Sequence, residues 1–243
     1  MLYWVLKGLL KPPLLGMYDL KTEDLKHVPK KGAAIIAANH LSFLDSFFIP
    51  LVVKRRKVTY LAKADYFKSW KTSWFFKGAG QISCERAGGS KSEQSLQIAL
   101  DVLKGGNLLG IYPEGTRSPD GRLYRGRTGV ARLALAAGVP VIPCGLVGTE
   151  AVMPKEAKLP RFRGQLPVRV RFGKPLDFSR FQDRQTDRFV LRSVTDEIVY
   201  EIMQLSGQGY VDEYASRTAT VPLPEATRSL DEVVDLSDDI LAS

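Results

Sequence analysis

The segment Ala33-Ala-Ile-Ile-Ala-Ala38, running into Asn39-His40, constrains this chain more than any other stretch. A short apolar run with no polar alternation needs cover on both faces, as in the interior of a parallel sheet. A helix start follows it. Ser42 reads as an N-cap with Asp45 three residues on, and apolar residues continue to Val53, with a stop near Pro50. A histidine and a carboxylate therefore stand where a buried strand hands over to a helix. In α/β sheets that is the edge at which ligands bind. His40 is one of only two histidines in the chain, so its placement carries weight.

The same pattern recurs downstream. Val58–Ala62, Gly80–Arg86, Leu108–Tyr112 and Val141-Ile142 read as strands, the last bounded by Pro140 and Pro143 because proline is tolerated at strand ends. Helices are expected over Ser92–Lys104, Gly129–Ala137 and a closing segment marked by Leu191, Val194, Ile198, Ile202 and Leu205. Val168–Phe172 alternates cleanly, which predicts an outer strand with one wet face. Alternating strands and helices predict an α/β fold: one domain, a largely parallel or mixed sheet, and helices on both faces. At 243 residues the chain can bury a substantial core. The expected organisation is an N-terminal amphipathic segment over 1–30, the main domain over 31–206, and an acidic tail over 207–243.

Charge is spread unevenly: the net is +9 over residues 1–90, +3 over 91–160 and −3 over 161–243. Basicity in the first two-thirds suits an anionic partner such as phosphate ligands, acidic headgroups or an acidic carrier. A nucleic-acid binder would share this charge, but no helix-turn-helix, zinc-ligand or RNP-type pattern is present, so no nucleic-acid partner is expected. Cys84 and Cys144 sit in apolar strand surroundings and read as buried reduced thiols. With two histidines and no close cysteine pair, no metal site is expected.

Lys7, Lys11 and the Pro12-Pro13 break leave residues 1–18 without the roughly 20 apolar residues that a membrane span needs. The segment also lacks the layout of a cleaved signal. It either covers the protein's own core or lies in a membrane interface, and Tyr3, Trp4 and the lysines favour the interface. In Tyr66–Lys77, Phe67, Trp70 and Trp74 recur at helical spacing among three lysines. That stripe is either core-facing or a membrane-surface helix. The Lys54-Arg-Arg-Lys57 turn is a solvated loop or a contact for anionic lipid.

The His40/Asp45 pair admits two accounts. Ser42 and Asp45 satisfy a capping-box pattern, which would give Asp45 a backbone role only. Alternatively Asp45 fixes the His40 tautomer and the other ring nitrogen takes a proton from a substrate hydroxyl. Lys63, Arg86 and Arg117 each follow an apolar strand at the same notional edge as His40. Gly115 lets backbone approach a ligand, and Thr116 and Arg117 supply phosphate-type donors. Glu114 is either an ion-pair partner holding an arginine or a contact to substrate hydroxyls.

Four blocks in order, Asn39-His-Leu-Ser-Phe-Leu-Asp45, Gly80–Arg86, Tyr112-Pro-Glu-Gly-Thr-Arg-Ser118 and Val139-Pro-Val-Ile-Pro143, closely resemble the motifs of the glycerolipid acyltransferases. The resemblance is strongest to the 1-acylglycerol-3-phosphate acyltransferases. It implies His40 as base and Asp45 as its orienter in the HX4D motif. It also implies that Arg86, Glu114, Gly115, Thr116 and Arg117, with Lys63 at a looser position, hold the glycerol phosphate. Val139–Pro143 is associated with the acceptor or acyl pocket. The substrates implied are lysophosphatidic acid or glycerol 3-phosphate, with acyl-CoA or acyl carrier protein as donor and no cofactor. A peripheral location on the cytoplasmic face of the cell membrane is expected. The competing readings are a glycerol-3-phosphate acyltransferase and a non-catalytic lipid-binding protein on the same scaffold.

Overall fold

The run Ala34–Ala38 is a strand in which every residue is fully buried, and it lies inside a sheet that has seven strands among the described residues. The computed structural model describes residues 2–84, 90–157, 159–162 and 164–215. Arg86 and most of the expected acidic tail, from 216 onward, lie outside the described residues, as do the side chains of Lys63 and Cys84.

The strands of the main sheet are β1 (Tyr18–Glu23), β2 (Ala34–Ala38), β3 (Val58–Lys63), β4 (Ile82–Cys84), β5 (Leu108–Ile111), β7 (Val141–Val147) and β8 (Leu166–Phe172). A separate short ribbon pairs β6 (Leu123–Tyr124) with β9 (Tyr210–Val211). In the main sheet the order is β1-β8-β7-β2-β5-β3-β4, and every pairing is parallel except β7 with β8. The carboxyl ends of β2, β3, β4, β5 and β7 therefore share one edge, and His40, Lys63 and the Tyr112–Ser118 segment come to it.

Helices cover both faces, as the burial of β2 on both sides requires. Ala34, Ile36 and Ala38 pack with Phe48, Ile49 and Val52 of α2 (Asp45–Val52) and with Leu14 and Met17 of α1 (Leu2–Met17). Next to α1 stands α3 (Trp70–Gly78), whose Gly78 meets Leu2 and Leu6. Ile35 and Ala37 face the other layer, made by α4 (Ser90–Lys104), α5 (Gly129–Ala137) and α7 (Arg188–Ser206). A short helix, α6 (Thr149–Val152), follows β7. The closing helix starts where Asp187 accepts the amides of Phe189 and Val190 at 2.8 and 3.3 Å. Such a cap contributes about 1 kcal/mol. It stops at Gly207, whose φ of 72° suits glycine.

Several local expectations change. The second helix begins at Asp45 rather than at Ser42; Ser42 Oγ instead donates to Met153 O at 2.9 Å and accepts Leu44 N at 3.3 Å. Pro50 lies within that helix, and Pro12-Pro13 lie within α1. Proline's fixed φ is helical, and the carbonyls that the missing amides would have bonded in α1 belong to Gly8 and Leu9, which are exposed to water. Phe67 falls in a short 3-10 turn before α3, so Phe67, Trp70 and Trp74 do not form one helical stripe. Phe76 is the buried aromatic of α3, while Trp70 and Trp74 are 78% and 56% exposed.

Pro143 sits inside β7 rather than at its end. The neighbouring residues show why. Val141 N bonds Leu176 O and Gly173 N bonds Pro143 O, so the absent Pro143 donor points to the stretch where β8 has already left the ladder. The alternating strand at Val168 is not an edge, because β1 pairs along its outer side. Among the described residues no helix is long and apolar enough to cross a membrane.

Candidate active site

Asp45 is fully buried at the first turn of α2, and its Oδ2 collects three donors. His40 Nδ1 lies 2.9 Å away, and the amides of Leu41 and Ser42 each lie 2.8 Å away. This aspartate thus holds both backbone and ring. Ser42 is not the cap of α2, so no capping box forms; the bond from Ser42 N ties the turn ahead of the helix, and the same oxygen orients the imidazole. The amides of Leu41 and Ser42 are engaged by Asp45. The His40 side chain keeps 15% exposure, enough to meet a ligand at the sheet edge.

The loop leaving β5 is tied to His40 on several sides. The Tyr112 ring lies against the imidazole, with centroids 3.8 Å apart and planes 6° apart. Ser118 N donates to His40 O at 2.7 Å, and His40 N donates to Glu114 Oε1 at 3.1 Å. Glu114 Oε2 accepts Tyr124 N at 3.0 Å, so both carboxyl oxygens hold backbone. At 1% exposure this carboxyl is pushed up to about 8 by loss of hydration, against the pull of its two amide donors.

Gly115, Thr116 and Arg117 lie between these anchors, exposed or half-buried, next to His40 along the loop. Gly115 has φ 75°, which favours glycine, and a side chain there would come within 3.2 Å of Arg127. Lys63 ends β3 at the same edge. Val139–Pro143 runs into β7, where Val141, Ile142 and Pro143 are buried.

Other residues complete the edge. Asn39 is fully buried, exchanges two bonds with the backbone of Leu146 at 2.7 and 2.8 Å, and donates to Gln208 Oε1 at 2.7 Å. Gln208 in turn donates to Gly121 O at 2.5 Å, so the end of β2 is stitched to β7 and to both flanking loops. Asp120 organises the turn after Ser118, accepting from Arg122 Nε at 2.6 Å and Tyr124 OH at 3.0 Å. Arg127 brings a further cation beside Gly115, its guanidinium 5.1 Å from the Tyr214 ring centroid. Asn39 stands in the Asn39–Asp45 block and Tyr112 opens the Tyr112–Ser118 block, whereas no local pattern in the sequence marks Gln208, Asp120 or Arg127.

The family described as Acyltransferase matches residues 19–147, which span this edge from β1 to the end of β7. A chloroplastic 1-acyl-sn-glycerol-3-phosphate acyltransferase of Arabidopsis thaliana is 30% identical over 164 residues, covering 67% of this chain and 45% of that protein. The 1-acyl-sn-glycerol-3-phosphate acyltransferase of Bacillus subtilis (strain 168) is 24% identical, covering 78% of this chain and 89% of that protein. The crystal structure of PlsC, the 1-acyl-sn-glycerophosphate (LPA) acyltransferase of Thermotoga maritima, has a TM-score of 0.64 at 25% identity, covering 84% of this chain and 79% of that chain. The chain spans about half the length of the chloroplast relatives it matches, 45% in each of two. With the match covering more than half of its residues, the chain belongs to the acyltransferase family.

Proposed function

We propose that this chain transfers a fatty acyl group from a thioester to the free hydroxyl of 1-acylglycerol 3-phosphate, giving phosphatidic acid for phospholipid synthesis. The observation that carries the reading is the bond from His40 Nδ1 to the buried Asp45 carboxylate, 2.9 Å long, at the carboxyl edge of the sheet. With Nδ1 held, Nε2 is the nitrogen that takes the hydroxyl proton. The alkoxide oxygen forms a bond to the thioester carbonyl carbon, and a tetrahedral oxyanion results. Its collapse breaks the C–S bond, and the departing thiolate receives the proton from His40. No covalent enzyme intermediate enters. Cys144 is fully buried, and burial pushes its thiol pKa far up, which suits an inert thiol.

Lys63, Arg86, Thr116 and Arg117 would hold the phosphate, with Gly115 allowing close approach and Glu114 shaping the loop. That remote grip orients the hydroxyl. The donor is acyl-CoA or acyl carrier protein, and no cofactor is needed. An apolar cleft lined by Leu6, Leu10 and Leu14 of α1 and by Phe47 and Leu51 of α2 runs up to Ser46, whose hydroxyl meets Tyr112 at 2.9 Å. Its enclosed volume is about 30 Å³, so it would take only a short part of an acyl chain, the rest lying along the exposed face of α1.

We also infer peripheral attachment to the cytoplasmic face of the cell membrane. On α1, Trp4, Val5 and Leu9 are exposed, and on the neighbouring α3 so are Trp70 and Trp74. Lys54, Arg55 and Lys57 lie exposed beside the start of α1, where anionic headgroups would meet them. In this reading α1 and α3 seat the catalytic domain on the bilayer; the expected segment over 1–30 is narrowed to α1, because β1 belongs to the domain's own sheet.

The test is transfer of labelled acyl groups by purified protein to lysophosphatidic acid and to glycerol 3-phosphate, side by side. Preferential labelling of the first supports the reading. Preference for the second makes the protein a first-step acyltransferase, and transfer to neither leaves a lipid-binding role.

A further inference from the structure

Three rings lie in a row beneath the reacting edge. Tyr60 on β3 is stacked on Tyr112, with centroids 5.4 Å apart and planes 20° apart. Tyr112 is stacked on His40 at 3.8 Å and 6°. Two neighbours set the row in place. On β5, Gly110 leaves space for the Tyr60 ring: a Cβ at that position would lie 2.2 Å from Tyr60 Cζ. On α2, Ser46 Oγ is 2.9 Å from the Tyr112 hydroxyl. The helix that holds the imidazole through Asp45 thus also holds the ring stacked on it.

A hydrogen bond at Nδ1 by itself fixes one atom of an imidazole and not the plane of the ring. A nearly parallel ring stacked at van der Waals distance fixes that plane. During transfer the imidazole becomes a cation, and the electron-rich face of a tyrosine favours a cation over a neutral ring.

We propose that Tyr112 is a positioning residue for acyl transfer, fixing the plane of the His40 ring and stabilising its protonated form in the transition state. This rests on His40 being the base. Tyr112 acts through the imidazole and need not touch either substrate.

The test compares Tyr112→Leu, which removes the ring, with Tyr112→Phe, which keeps it and loses only the hydroxyl with its contacts to Ser46 and Tyr60. Misplacing a catalytic group by about 1 Å can cost about a hundredfold. The leucine variant is expected to lose roughly tenfold to a hundredfold in kcat with KM nearly unchanged, and phenylalanine to restore most of that. The acid limb of the kcat/KM profile should move to lower pH in the leucine variant, because the protonated imidazole has lost a stabilising face, and stay in place with phenylalanine. A proton NMR spectrum of the parent gives an independent reading. The chain has two histidines, so His40→Ala assigns the His40 Hε1 line, which the Tyr112 ring current should place upfield of the His27 line. An unshifted Hε1 in the parent overturns the stacking, whether or not the leucine variant folds. An inactive His40→Ala beside a leucine variant with parent kcat and an unmoved acid limb overturns the role of Tyr112 alone. Parent activity in His40→Ala overturns the base assignment and this inference with it.

Discussion

Asp45 holds His40 through the same oxygen that anchors the turn on which His40 is carried. Oδ2 lies 2.9 Å from Nδ1 and 2.8 Å from each of the amides of Leu41 and Ser42. The orientation of the ring and the shape of the backbone are therefore one constraint, and a change at Asp45 alters both.

Asp45→Asn tests that coupling. An asparagine either presents its NH2 to three donors or buries it at the Oδ1 position, which has no hydrogen-bond partner. The expected outcome is a fall in kcat of about a hundredfold to ten-thousandfold. A loss of about 1–3 kcal/mol in stability should accompany it. Steady-state kinetics and urea unfolding of the variant check the two separately.

Glu114 predicts a pH-dependent stability. Its carboxyl is pushed from 4.5 in the unfolded chain to about 8 in the folded one, so between those values the native state binds the extra proton. Stability from this group is present at low pH and is lost as pH rises through that window, at up to about 1.4 kcal/mol per pH unit. Glu114→Gln removes the titration. Melting temperatures from pH 5 to 8 should fall for the parent relative to the variant; parallel curves would refute the shift.

Gly110→Ala should be costly although alanine is the mildest replacement. Its Cβ would enter the Tyr60 ring, and forced repacking of this kind costs about 1–3 kcal/mol. Because Tyr60 supports Tyr112, activity should fall even at temperatures where the variant remains folded. Denaturant titration and kcat at 10 °C or so below the melting point, compared with the parent, separate the two effects.

Membrane attachment is tested on α1 without touching the core. Val5 and Leu9 are 55% and 67% exposed, so Val5→Ser with Leu9→Ser should leave unfolding nearly unchanged, within about 0.5 kcal/mol. Sedimentation with anionic vesicles should drop several-fold. Undiminished sedimentation would clear α1 of the role.

Much of the sheet edge was legible because it is built from contiguous blocks. The Ala33–Ala38 run has no polar residue and had to be a covered strand. The closing helix is legible in the spacing from Leu191 to Leu205. The His40–Asp45 relation was visible as two alternatives, and a five-residue bend lets one carboxylate oxygen hold both backbone and ring. Glu114 was legible as important but not as what it is, since its partners, the amides of His40 and Tyr124, lie 74 and 10 residues away.

The chain by itself determined the alternation of strands and helices and the order of the reactive blocks, because burial period, caps and breakers act within a few residues. Tertiary structure decided which of those blocks meet. The stacking of Tyr112 on His40, the stitch from Asn39 to Leu146 and Gln208, and the cover that β1 gives to β8 all join residues far apart in sequence. Such contacts depend on strand order, and strand order is set by which packed arrangement buries both faces of β2, a property that no local window contains.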